Sequence, residues 1–99
     1  MGMNSILQRG LAPEHPGLIL REMYVEPLGI NNNFLAEKIG VSRITVNKLL
    51  NGRQGITAEM ALRLSRAFST SPLFWLNLQR NYDLWQAEKK FDENIKAIA

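Results

Sequence analysis

From Lys38 to Ala58 the chain carries no aspartate or glutamate, yet it holds Lys38, Arg43, Lys48 and Arg53 beside the amides of Asn47, Asn51 and Gln54. Guanidinium, ammonium and carboxamide donors in an acid-free stretch suit phosphates and the acceptor edges of bases, which a carboxylate would repel or fail to match. Catalysis has no comparable foothold. His15 is the single histidine and cysteine is absent, so a thiolate or histidine-rich metal site cannot be assembled. Ser42, Ser65, Ser69 and Ser71 have no base to activate them and read as caps or surface residues. His15, just ahead of Pro16-Gly17, reads as a capping or packing residue. Neither a cofactor nor an enzymatic activity is expected.

Those donors need a scaffold, and the apolar pattern supplies a helical one. In "HPGLILREMYVEPLG", Pro16 suits a first helical position, Ile19, Leu20, Met23 and Tyr24 recur at helical spacing, and Pro27 and Gly29 mark the end. "NNNFLAEKIG" has Asn31 as its cap, Leu35, Ala36 and Ile39 as its inner stripe, and Gly40 as its stop. "SRITVNKLLNG" begins at the cap Ser42, buries Val46, Leu49 and Leu50, and passes Gly52 after its end. "TAEMALRLSRAFS" is capped by Thr57, with Met60, Ala61, Leu64, Ala67 and Phe68 facing inward. Ser71-Pro72 opens a long aromatic-rich helix. No segment alternates with a period of two, so the pattern predicts an all-α fold of five helices.

The second and third helices form the decisive pair. A helix-turn-helix needs a small residue where the two helices cross and a left-handed residue at the turn; Ala36 and Gly40 meet those needs, Val41 plugs the corner, and Val46 and Leu49 lock the helices together. With those positions inward, a step of about 100° per residue turns Ile44, Asn47, Lys48 and Asn51 outward, flanked by Arg43 and Thr45. In major-groove docking, residues near the start of the second helix meet base edges. Arg43 is the first choice for a paired contact to guanine, and Lys48 for guanine or phosphate. Asn47 and Asn51 suit bases or backbone, and Ile44 suits a thymine methyl. Asn32, Arg53 and Gln54 sit where such domains grip phosphates, and the cap Ser42 is counted among the DNA-binding residues.

Composition sets the limits. Ninety-nine residues with 45% hydrophobic content make one domain, and a net charge of +3 with a sequence pI near 9.6 favours an anionic partner. No apolar run approaches a membrane span and the N-terminus lacks a signal-peptide core, so a cytoplasmic location without membrane contact is expected. The expected organisation is a flexible arm over 1–14, a helical domain over 15–90 and a tail over 91–99. In that tail, Phe91, Ile95 and Ile98 either prolong the last helix, pack on a partner or fray.

The hairpin resembles the Cro/phage-repressor (XRE) helix-turn-helix superfamily, whose fold is lambda-repressor-like. The run from His15 to Lys90 is similar to the HigA-type antitoxins, also labelled virulence-associated protein I, through "HPG", "LLNG", "GIT", "ALRL", "SP", "FWLNLQ" and "YDL". The chain departs from that family at Leu18, where the family often has Glu, at Asn31-Asn32-Asn33, where it often has Ser-Gln, and at Ile44, where a polar residue is usual. The resemblance implies a homodimer that binds operator DNA in its own promoter and represses its own operon. It also implies a complex with a HigB-type toxin, an endoribonuclease that cuts mRNA at the ribosome. Two alternatives stand beside it: a free-standing phage-type regulator without a toxin, and a protein-interaction module that has lost its DNA contacts. In the last helix, Phe74 and Leu78 fit the core. Leu78, Tyr82 and Trp85 are the candidates for a dimer interface, and a toxin interface or simple core packing are the other readings of Tyr82 and Trp85. An operator-binding dimer would space its recognition helices roughly 34 Å apart.

Overall fold

The computed structural model describes residues 12–99, so residues 1–11 of the expected N-terminal arm lie outside the described residues. Five helices follow. α1 begins as Pro16–Leu20, passes through a π-helical turn over Arg21–Val25 and closes with Glu26–Leu28; α2 is Asn32–Ile39, α3 Arg43–Leu50, α4 Ala58–Phe68 and α5 Pro72–Lys90.

Helix starts are decided by side-chain caps that satisfy otherwise unpaired N–H groups. Asn31 Oδ1 accepts from Phe34 N (2.8 Å), Ser42 Oγ from Thr45 N (3.0 Å), Thr57 Oγ1 from Met60 N (3.2 Å) and Ser71 Oγ from Phe74 N (3.1 Å). At α1 the cap is His15, whose Nδ1 accepts from Gly17 N at 2.9 Å. Gly29 and Gly40 end α1 and α2 with φ of +65° and +74°.

Pro27 does not end α1; it lies inside the closing turn. The wider turn just before it makes Glu26 N donate to Arg21 O, five residues back, which gives the proline ring room and tolerates its missing N–H. That insertion also shifts the phase of the buried stripe. Leu20 and Val25, five apart, are buried, whereas Met23, expected inward, is 56% exposed.

Each remaining helix contributes to one core around Leu35, Val46, Leu49, Leu64 and Trp75. Trp75 is fully buried, donates Nε1–H to Thr70 Oγ1 (2.7 Å), and lies against Tyr24 and Phe74 at ring separations of 5.5 and 4.9 Å. Two expectations on α4 are corrected. Ala67 is exposed, and Ser65, read as a surface or cap residue, is buried. Ser65 lies four residues beyond the buried Ala61 and its hydroxyl donates to Leu62 O (2.7 Å), so burial leaves no polar group unpaired. α5 stops at Lys90 and residues 91–99 are exposed and non-helical, so the tail does not prolong it.

Candidate nucleic-acid interface

The angle between α2 and α3 is set at Ala36 and Gly40. Ala36 is buried, and its carbonyl accepts from both Gly40 N (2.9 Å) and Val41 N (3.0 Å), a closure that the left-handed Gly40 permits. A clamp from α4 reinforces it. Arg63 donates to Ile39 O at 2.7 Å and Gly40 O at 3.3 Å, and pairs with Glu59 at 2.7 Å. The other end of α3 is held from behind: a Cβ on Gly17 would lie 1.7 Å from Leu49 O, so α1 can approach this closely only through glycine.

With both ends fixed, α3 turns Val46, Leu49 and Leu50 into the core and leaves Arg43, Ile44, Asn47, Lys48 and Asn51 exposed. Ile44 is 65% exposed, an unusual placement for isoleucine in the middle of a polar face. Ile44, Asn47, Lys48, Asn51 and Arg53 together line one shallow depression. Ser42 is exposed at the start of α3, where its hydroxyl donates to Thr45 Oγ1 (3.0 Å), and Thr45 is half-buried. Past the end of α3, Arg53 is exposed and Gln54 half-buried.

Asn32 joins this face from α2: its Nδ2 donates to Asn47 Oδ1 at 3.2 Å, and Asn51 Nδ2 donates to the same oxygen at 3.3 Å and to Asn47 O at 2.8 Å. Asn47 therefore presents its NH2 outward while its carbonyl oxygen is occupied. Among the described residues the ion pairs are Arg21–Glu26 and Arg63–Glu59, so Arg43, Lys48 and Arg53 keep uncompensated charge. Lys38 belongs elsewhere; its Nζ sits 5.6 Å over the Phe34 ring and lines a groove between α2 and α4.

On α5, Leu78 packs against the core. The Tyr82 ring meets His15 edge-on at 5.1 Å, and Trp85 lies 6.2 Å from Tyr82 with Lys89 Nζ 3.8 Å over its face. Burial lowers the His15 pKa below its ordinary value, with the Asp83 carboxylate opposing that shift. Three positioning residues escape the sequence reading. Gly17 and Arg63 act on partners far along the chain, and local periodicity gives no sign of either. Gln79 Oε1 accepts from Ile56 N at 2.6 Å and holds the loop after α3; only its place in "FWLNLQ" set it apart.

The helix-turn-helix family model HTH_3 matches residues 20–75. An uncharacterized HTH-type transcriptional regulator of Haemophilus influenzae is 41% identical over 88 residues, covering 87% of this chain and 82% of that protein. Antitoxin HigA-1 of Vibrio cholerae is 40% identical over 86 residues, covering 87% and 81%. Among solved structures, the Pseudomonas aeruginosa antitoxin HigA with the higBA promoter is similar at a TM-score of 0.81 and 38% identity, covering 88% of this chain and 99% of that one. Five helices in this order, a glycine-hinged hairpin presenting a cationic amide-rich face, and these likenesses together make the chain a member of the XRE-type helix-turn-helix family and, within it, of the HigA-type antitoxins.

Proposed function

We propose that this chain is the antitoxin of a type II toxin–antitoxin pair, a homodimer that represses its own operon and neutralises a HigB-type mRNA-cleaving toxin. The carrying observation is the acid-free outer face of α3, exposed and without ion-pair partners while both ends of the helix are braced. With its side chains an α-helix is about 10–12 Å across, which matches the width of the major groove.

In that groove Arg43 forms the paired contact to guanine, Ile44 meets a thymine methyl, and Lys48 takes guanine or phosphate. Asn47 has committed its Oδ1 to Asn32 and Asn51, so it acts as a donor and does not make the donor-plus-acceptor contact to adenine while those bonds stand. Asn51 has its Oδ1 free for a base amino group. Asn32, Ser42, Thr45, Arg53 and Gln54 grip the backbone and set the register. The structure of the Pseudomonas aeruginosa relative with the higBA promoter supports this docking.

A gel shift on the DNA upstream of the gene, with and without the product of the adjacent gene, tests the reading. Binding that prefers this DNA over a scrambled duplex, weakens steeply with salt and changes when the adjacent product is added is the expected result. Equal affinity for scrambled DNA would refute it. The relative described only as a transcriptional regulator favours a second reading, a free-standing repressor, which predicts an unchanged shift on adding the neighbouring product.

A further inference from the structure

Asn32, Asn47 and Asn51 form one hydrogen-bonded chain on the outer face of the hairpin, and its polarity is fixed. Asn51 Nδ2 lies 2.8 Å from Asn47 O. A backbone carbonyl can only accept, so the end of Asn51 on that side must be its NH2. The same nitrogen reaches Asn47 Oδ1 at 3.3 Å, and Asn32 Nδ2 reaches that oxygen from α2 at 3.2 Å. Turning Asn47 over would set its NH2 against the NH2 of Asn51. The helix backbone thus dictates, through Asn51, which end of Asn47 faces outward: two N–H donors and no acceptor.

Ile44 stands beside that donor. Three residues apart on a helix, the two side chains are surface neighbours with Cβ atoms about 5–6 Å from each other, and they line the same depression. The exposure of Ile44 leaves apolar area open to a partner. A donor next to an apolar surface matches one base edge. In the major groove thymine alone sets an acceptor, O4, beside a methyl group. Adenine pairs its N7 acceptor with the N6 donor, cytosine offers the N4 donor, and guanine offers two acceptors without a methyl.

We infer that Ile44 and Asn47 read a single thymine as one unit, Asn47 donating to O4 while Ile44 packs on the C5 methyl, with Asn51 and Asn32 as positioning residues that hold the donor outward. This rests on the operator-binding reading above and names the base edge that the middle of α3 selects. Asn32 keeps its second N–H for the phosphate backbone, so one side chain both braces the reader and sets its register. Two modified bases separate the paired contacts. Deoxyuridine keeps O4 and lacks the methyl, so it satisfies Asn47 and leaves Ile44 without a partner. 5-Methylcytosine keeps the methyl and puts an amino group in place of O4, so it satisfies Ile44 and sets donor against donor at Asn47.

The test is a competition gel shift of the full chain on the DNA upstream of its gene. Each thymine in turn is replaced by deoxyuridine or, opposite guanine, by 5-methylcytosine, and circular dichroism checks the folding of the protein variants. At one thymine of each half-site, deoxyuridine should weaken wild-type binding roughly fourfold, and 5-methylcytosine roughly tenfold or more. I44A should bind thymine and deoxyuridine equally at that position. N51A frees Asn47 and Asn32 to turn over together and should narrow the gap between thymine and 5-methylcytosine there; because the readout is a ratio, any contact that Asn51 itself loses cancels. An I44A protein that still distinguishes thymine from deoxyuridine, or an N51A protein that keeps the full wild-type discrimination, would overturn the inference. A wild type that prefers its upstream DNA to a scrambled duplex but has no thymine sensitive to deoxyuridine overturns it alone and leaves the repressor reading standing. A wild type without that preference defeats both.

Discussion

Replacing Gly17 with alanine probes the seat of the recognition helix more sharply than any change on its outer face. The added methyl would start 1.7 Å from Leu49 O, and 3.0 Å is the least that real Cβ contacts show, so backbone must move against backbone. Leu49 O belongs to α3, and the first turn of α1 also carries fully buried Leu20, so separating the two helices opens packed core as well. Overpacking of this kind costs about 1–3 kcal/mol and sometimes more. Against it stands the gain of about 0.5–1 kcal/mol from removing a glycine in a helical conformation. Because the displacement falls on rigid backbone, the upper part of the penalty range applies, and the net loss is about 2 kcal/mol. For a domain of this size that lowers the melting temperature by roughly 8–16 °C. Urea unfolding followed by circular dichroism should show a lower midpoint with an unchanged slope. An unchanged or higher midpoint would mean that α1 does not clasp α3 as described, and the account of how α3 is held would fail.

Gly29→Ala is the contrasting case: its φ is +65° but nothing lies within 4 Å of the added methyl, so only the left-handed backbone penalty of about 1–2 kcal/mol is expected, read from the same urea midpoints. Arg43→Ala should weaken operator binding by about 1–3 kcal/mol and relax discrimination at one base pair; an equal loss on random duplex would show that Arg43 touches only phosphate. His15 has its pKa lowered by burial from the ordinary 6.5, so the unfolded chain takes up its proton first; stability is fully present above pH 6.5 and declines as pH falls below that value. His15→Asn keeps a cap acceptor without a titrating ring and should flatten the urea midpoint between pH 5 and 7, whereas a persisting slope would point to another group. Thr70→Val strands the buried Trp75 indole N–H and should cost about 1–3 kcal/mol in urea unfolding.

How much of this was legible beforehand depends on how far apart the interacting groups lie along the chain. The caps Asn31, Ser42, Thr57 and Ser71 each bond an N–H three residues on, and Gly40 closes its turn within five residues. Such short-range chemistry is written in residue type and spacing, as is the 3.6-residue stripe that points Val46 and Leu49 inward and Arg43, Asn47 and Lys48 outward. One insertion was enough to defeat that periodicity in α1, where the π turn carried Met23 to the surface.

The sequence alone determined the five helical segments, the hairpin and the absence of carboxylates on its outer face, because helix propensity, capping and charge are local properties. Only the tertiary structure decided that Arg63 clamps the turn, that Gly17 lets α1 touch Leu49, that Asn32 commits the oxygen of Asn47, and that Gln79 ties α5 to the loop after α3. These pairs lie 15 to 32 positions apart in the chain. Contacts at such separations depend on how helices pack, and packing is a property of the whole core that no single window of sequence contains.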